Sequence, residues 1–183
     1  MLSLWILIGV SAFVVLIFFY YYNRFVTLSN RIDNSLSQIN VQLKRRADLI
    51  PNLIETVKGY AKHEKSVIKS VSDARKALVG AKGIENKINA NNVLESVLGK
   101  LFAIAEAYPD LKANTNFLEL QRELSTTEDR IAYARQFYND SILSYNNMVQ
   151  KLPGNFFAKL YGRKEKEYLK IAEVEKKVVK VDF

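Results

Sequence analysis

The 183-residue chain has no cysteine and one histidine, His63. Without cysteine there is no disulfide framework, no cysteine-ligated zinc site and no thiol nucleophile, and the compartment is left open. One histidine cannot supply an H-E-x-x-H zinc helix, although Glu64 follows it. Di-iron centres in helical bundles need Glu-x-x-His pairs on facing helices, so Glu119, Glu123, Glu128 and Asp129 lack their imidazole partners. No G-x-S-x-G elbow, glycine-rich phosphate loop or Rossmann fingerprint occurs. A histidine beside one acid on a polar helix face is ordinarily just solvated, so catalysis by His63 and Glu64 ranks last among the readings. The sequence points to no enzyme, no cofactor and no metal.

Charge is missing from residues 2–22, LSLWILIGVSAFVVLIFFYYY. A run of this length matches the roughly 20 residues that a membrane-crossing helix needs. Trp5 lies near one end and Tyr20, Tyr21 and Tyr22 at the other, where interfacial aromatics belong. A cleaved signal peptide fits less well, because there is no basic leader and no small-residue cleavage site. Arg24 and Arg31 follow the run, then Lys44, Arg45 and Arg46. The positive-inside rule therefore predicts a single-pass protein in the cell membrane, with the N-terminus outside and the rest in the cytoplasm.

About 160 residues remain, enough for one domain with its own core. The net charge of +8 is unevenly spread, at +6 over residues 24–80, −2 over 81–150 and +4 over 151–183. With both basic segments near a membrane, an anionic lipid surface accounts for the charge better than nucleic acid, which is not expected as a partner. The expected organisation is an anchor over 1–23, a helical bundle over 24–152 and a basic C-terminal segment over 153–183.

Strand periodicity is also absent, apart from a short end, KKVVKVDF, that is either extended or frayed. Apolar stripes at spacings of three and four run through the rest. They comprise Ile32–Leu43, Ile50–Leu78, Leu94–Tyr108 and, the cleanest, Phe117 to Leu152 over five heptads. Gly80 and Gly83, then Pro109, then Pro153 and Gly154 punctuate them, and Asn114, Thr115 or Asn116 is placed to cap the last long helix. The predicted fold is all-α, an N-terminal transmembrane helix followed by an antiparallel up-down four-helix bundle. The heptads serve an intramolecular bundle and a self-associating one equally well, so the oligomeric state is left open.

That arrangement requires a reversal near Ala47–Asp48. A helix merely kinked at Pro51 would leave the Ile32–Leu43 stripe nothing to pack against. With the turn, Asp48 caps the second helix, Pro51 sits in its first turn, and Lys44, Arg45 and Arg46 meet the negative end of the first. The fourth helix then ends near the membrane, followed by NFFAKLYGRKEKEYLK. Phe156, Phe157, Leu160 and Tyr161 share one side of a helical wheel, with lysines and an arginine nearby. Two explanations stand level: a segment lying among lipid headgroups, and a lid on the open end of the bundle. The candidate membrane-interface residues are Trp5, Tyr20, Tyr21, Tyr22, Arg24, Phe156, Phe157 and Tyr161. In the last stripe Tyr138-Asn139 and Tyr145-Asn146 repeat one heptad apart, with the tyrosines on the core stripe and the asparagines beside it, placed to fix helix register.

Two long stretches, YNRFVTLSNRIDNSLSQINVQLKRRADLIPNLIETVKGYAKHEK and AYPDLKANTNFLELQRELSTTEDRIAYARQFYNDSILSYNNMVQKLPGNFFAKLYG, resemble the LemA family of single-span membrane proteins. The resemblance implies a membrane helix, an antiparallel helical bundle, and no known enzymatic activity or cofactor. The stretch between Val79 and Asn92 departs most from the family's look. The recurring family pattern falls on Lys44, Arg45, Arg46, Asp48, Pro51 and Asn52, and on Asn116, Gln121, Glu128, Arg135, Tyr138, Asn139 and Tyr145. These form a candidate interaction surface rather than an active site. The function expected is a membrane-anchored scaffold for a protein partner, with a module that grips anionic lipid as the alternative.

Overall fold

In the computed structural model, residues 1–61 and 63–169 are described, and all but the connections and the segment after residue 160 is helix. The elements are α1 (Leu2–Tyr60), α2 (Lys65–Gly80), α3 (Ile84–Ala105), α4 (Pro109–Lys112), α5 (Thr115–Gln150) and α6 (Gly154–Leu160). There is no strand among the described residues. The KKVVKVDF end lies outside them.

Several punctuation marks act where the sequence puts them. Gly83, at a left-handed φ of 78°, ends the connection between α2 and α3. Pro109 opens α4, where its missing N–H is no loss. Asn114 caps α5, its Oδ1 accepting the Phe117 backbone N–H at 3.0 Å.

The expected turn at Ala47–Asp48 does not form. The helix α1 continues through Pro51 to Tyr60, and the chain reverses at residues 61–64 instead. Asp48 caps nothing; it pairs with Lys44 on the same helix at 2.7 Å. Nor do Lys44, Arg45 and Arg46 lie in a last turn. The Ile50–Leu78 stripe is two helices, not one.

The physical reason is visible at Ala47. Proline at 51 leaves the Ala47 carbonyl without its helical donor, four residues on. Arg75 of α2 replaces that donor, its Nε donating to the Ala47 oxygen at 2.8 Å. Arg75→Ala should therefore destabilise the protein by about 1–3 kcal/mol, the usual penalty for orphaning a half-buried carbonyl. In a Pro51→Ala background, where residue 51 regains its N–H, the same change should be nearly neutral. A double-mutant cycle on thermal unfolding of the full chain in detergent reads this coupling. Equal penalties in the two backgrounds would refute it.

The chain divides into two compact units, one of Met1–Ser37 with Arg135–Tyr168 and one of Gln38–Ala134 with Leu169–Phe183. In the first, α5 runs back along α1. Arg31 stands over the Phe137 ring at 4.8 Å, Phe25 is edge-on to Tyr145 at 6.0 Å, and Tyr21 stacks on Phe157 at 4.4 Å. The pairings step down α1 as they step up α5 and α6, which makes the helices antiparallel. Phe25, Leu28 and Ile32 form the core with Ile142, Tyr145 and Ala158. Each such large apolar side chain contributes about 1.5–3 kcal/mol on full burial. The apolar window of α1 lies in the same unit, and none of it is buried.

In the second unit Ile39, Leu43, Ile50, Leu53 and Val57 carry the buried stripe of α1 through Pro51 without a break. α2 and α3 pack as a hairpin, burying Val71 and Leu78 from one and Leu94, Leu98 and Leu101 from the other. Leu124 and Ile131 of α5 are buried as well. Arg45 pairs with Glu123, and Tyr60 accepts from Asn114, so here too α5 is antiparallel to α1.

Candidate interaction surfaces

Three consecutive cations on a helix point about 100° apart, and here they meet three fates. Lys44 is exposed and pairs along α1 with Asp48. Arg45 reaches Glu123 of α5 at 2.7 Å, with both side chains near half exposure, so the pair contributes at most about 1 kcal/mol. Arg46 turns inward and is only 3% exposed. Its guanidinium pairs with Glu128 of α5 and donates from Nη1 to Asn91 Oδ1 of α3 at 3.1 Å. Burial pushes its pKa below the usual arginine value, and the charge of Glu95 opposes that. Asn91, itself buried, is held by the same guanidinium. This ties three helices through polar groups in an otherwise apolar core.

The other family-pattern residues separate. Asn52 and Asn116 line one hollow with Arg45, Glu119 and Glu123, and Gln121 is half-buried on α5. Pro51 carries the exchange with Arg75. Arg135, Tyr138, Asn139 and Tyr145 belong to the first unit. Burial, then the charge of Asp33, raises the Tyr138 pKa, while burial raises that of Tyr145 against the pull of Arg163. The motif residues thus fall in both units.

Sequence reasoning missed three contributors and gave a fourth another role. Arg75 and Asn91 lie on α2 and α3, outside the matched stretches, and nothing local marks them. Lys87 donates to Asn40 at 2.7 Å from the stretch that departs most from the family's look. Asn146 was legible as a heptad partner of Asn139, but it does not join helices. Its side chain donates to and accepts from the backbone of Lys166, both at 2.9 Å, and so clasps the segment after α6.

Besides the hollow at Arg45, three surfaces among the described residues are open to a ligand. The largest is a groove of about 790 Å³ in the second unit, between the end of α1 and α2. Ile54 and Ile68 floor it, and Lys58, Lys65, Lys69, Lys76 and exposed His63 line it with a single acid, Asp73. Neighbouring Glu64 is engaged elsewhere, accepting from the Tyr108 hydroxyl at 3.1 Å. A smaller hollow of about 290 Å³ lies among Lys44, Asp48, Arg75 and Lys87.

The third surface adjoins the apolar run, in the first unit. Tyr161 donates to the Phe18 carbonyl at 2.7 Å, and its ring meets those of Phe18 and Tyr22 edge-on. Phe157 stacks on Tyr21, while Phe156 is turned out and 64% exposed. Of the remaining interface candidates, Trp5 and Tyr20 are exposed on α1, and so is Arg24. The α6 aromatics therefore divide, Phe157 and Tyr161 against the end of the run and Phe156 away from it. Between α1, α5 and the corner before α6 lies a hollow of about 260 Å³.

Comparison with known proteins agrees with the resemblance. A sequence profile of the LemA family matches residues 35–183. Magnetosome protein MamQ of Magnetospirillum gryphiswaldense is 30% identical over 173 residues, covering 80% of this chain and 64% of the relative. Magnetosome protein MamQ 1 of Paramagnetospirillum magneticum is 28% identical with the same coverage. Protein LemA of Metamycoplasma hominis is 27% identical over 138 residues, covering 73% of this chain and 63% of the relative. The chain thus spans just under two thirds of the length of the relatives it matches. With four fifths of its residues matched by the profile, the chain belongs to the LemA family.

Proposed function

We propose that the protein is a membrane-anchored, non-enzymatic helical scaffold, with its N-terminus outside and its helical domain in the cytoplasm, presenting a lysine-rimmed groove to an acidic partner. One observation carries the anchoring: the exposed apolar run and a buried core stripe belong to the same helix, α1. A cleaved leader would take with it the start of a structural element. The polar residues of the family pattern have structural work, which supports a scaffold over an enzyme. Arg46 holds Glu128 and Asn91, and Arg45 holds Glu123. The groove supplies the chemistry of the partner. An apolar floor under a rim of lysines suits one face of an acidic amphipathic segment. Lys65 and Lys69 have no ion pair among the described residues, and the pairs of Lys58 and Lys76 are exposed and readily exchanged.

A single position tests both parts. Lys69→Cys creates the sole thiol of the chain. In intact cells an impermeant maleimide should leave it unlabelled until lysis; labelling before lysis would reverse the orientation. A photo-crosslinker on the same thiol should capture a defined protein, and the adduct should vanish with Lys65→Glu and Lys76→Glu. Capture unaffected by the charge reversal, or no capture beyond the chain itself, would sink the acidic-partner reading.

A further inference from the structure

We infer that the hollow beside the end of the apolar run binds the phosphate of an anionic phospholipid headgroup. Its two cations are Arg24 of α1 and Lys151 just after α5. No acid lines it, and neither cation has an ion-pair partner among the described residues. Ser144 and Asn147 add polar groups to the wall, and Leu28 and Met148 add apolar surface. The lining thus offers charge for a phosphate and a greasy side for the glycerol and upper acyl carbons.

Depth decides what the anion is. Arg24 follows Tyr22, the last residue of the apolar run, by two positions, about 3 Å along a helix. The headgroup layer is about 5–7 Å thick on each side of the hydrocarbon. With residues 2–22 in the bilayer, Arg24 therefore lies at the level of lipid phosphates on whichever side the domain faces. The other wall sits at the same level, because Lys151, Leu152 and Pro153 line the same hollow as Tyr21 and Arg24. Phe156 and Leu160, one turn apart on α6, are 64% and 58% exposed, and Leu152 in the corner before it is 83% exposed. Such a face suits acyl chains and is out of place in water. The inference rests on the anchoring reading but not on the protein partner or on the orientation.

The test uses the full chain in neutral detergent and measures lipid adducts by native mass spectrometry, with phosphatidylglycerol and phosphatidylcholine titrated separately. The wild type should bind one phosphatidylglycerol selectively. Arg24→Gln with Lys151→Gln should weaken that binding by roughly thirtyfold, at about fivefold per near-surface cation. Ser144→Trp, which fills the hollow and leaves every charge in place, should weaken it comparably. Lys159→Gln with Lys164→Gln, which removes two cations outside the hollow, should leave it unchanged. Circular dichroism confirms that each variant keeps its helix content. Equal affinity for the two lipids, an Arg24→Gln, Lys151→Gln variant that binds as the wild type does, or full retention by Ser144→Trp would overturn the site. So would inorganic phosphate displacing the lipid at equal concentration, which would make the ligand a soluble anion. Failure of the whole chain to partition into bilayers would instead defeat the anchoring reading.

Discussion

Replacing Arg46 by methionine is expected to lower the melting temperature of the detergent-solubilised protein by roughly 6–12 °C. The change removes the partner of half-buried Glu128 and the donor to buried Asn91 in the second unit. Breaking a buried ion pair from one side costs about 3–5 kcal/mol. The lower end applies, because the Glu128 side chain is 28% exposed and finds some water. At about 2–4 °C per kcal/mol for a domain of this size, that gives the stated range. The companion experiment is more telling. Replacing Arg46 by methionine and Glu128 by leucine together should recover most of the loss, since the Arg46 Nε is already buried without an acceptor among the described residues. If the double variant is no better than the single one, the pair contributes more than its mutual neutralisation, and Asn91 or Glu95 becomes the place to look.

The second large effect is expected at Gly154. This residue is buried where the chain turns from α5 into α6, and a Cβ there would collide with the backbone carbonyl oxygen of Met148. A backbone atom cannot rotate aside as a side chain does. Gly154→Ala should therefore displace the start of α6 and cost about 1–3 kcal/mol, the usual range for overpacking. Hydrogen exchange should report the damage locally, with faster exchange at the Tyr161 amide, which bonds to the Phe157 carbonyl, and at the Arg163 amide, which bonds to Ala158. Gly59→Ala is the contrasting case. Gly59 lies inside α1 with nothing within 4 Å of the added methyl, so alanine there should stabilise by about 0.5–1 kcal/mol. If Gly154→Ala melts with the wild type and its α6 amides exchange no faster, the tight corner is not a constraint.

Helical class, the uncharged run and most helix ends were legible in the sequence because each has a local cause. Asn114, Pro109 and Gly83 act within a few residues of themselves. The first reversal was not legible. The argument for a turn at Ala47 held that the Ile32–Leu43 stripe needed a returning second helix. The residue that covers such a stripe need not come next in sequence, and α5, at 36 residues, is long enough to return along α1. Ile32 shares its core with Ile142 and Tyr145. Pro51 misled for a related reason, since the group that relieves its missing N–H is 24 residues away on another helix. The true break, at residues 61–64, carries neither proline nor glycine and shows only as a gap of seven between Ala61 and Ile68 in the stripe. Within the candidate site, the roles of Arg45 and Arg46 were not legible, because their partners Glu123 and Glu128 lie on α5, far off in sequence. The lysine groove went unseen because its cations come from two helices.

The bond from Arg75 to Ala47 also sets an order of events during synthesis. At about 5–20 residues per second, Arg75 is made roughly one to six seconds after Ala47. Throughout that interval the nascent α1 has a missing rung, and water must occupy the Ala47 carbonyl. The helix is completed only when α2 has emerged and docked. A proline in the first core helix thus delays its closure until the partner helix arrives.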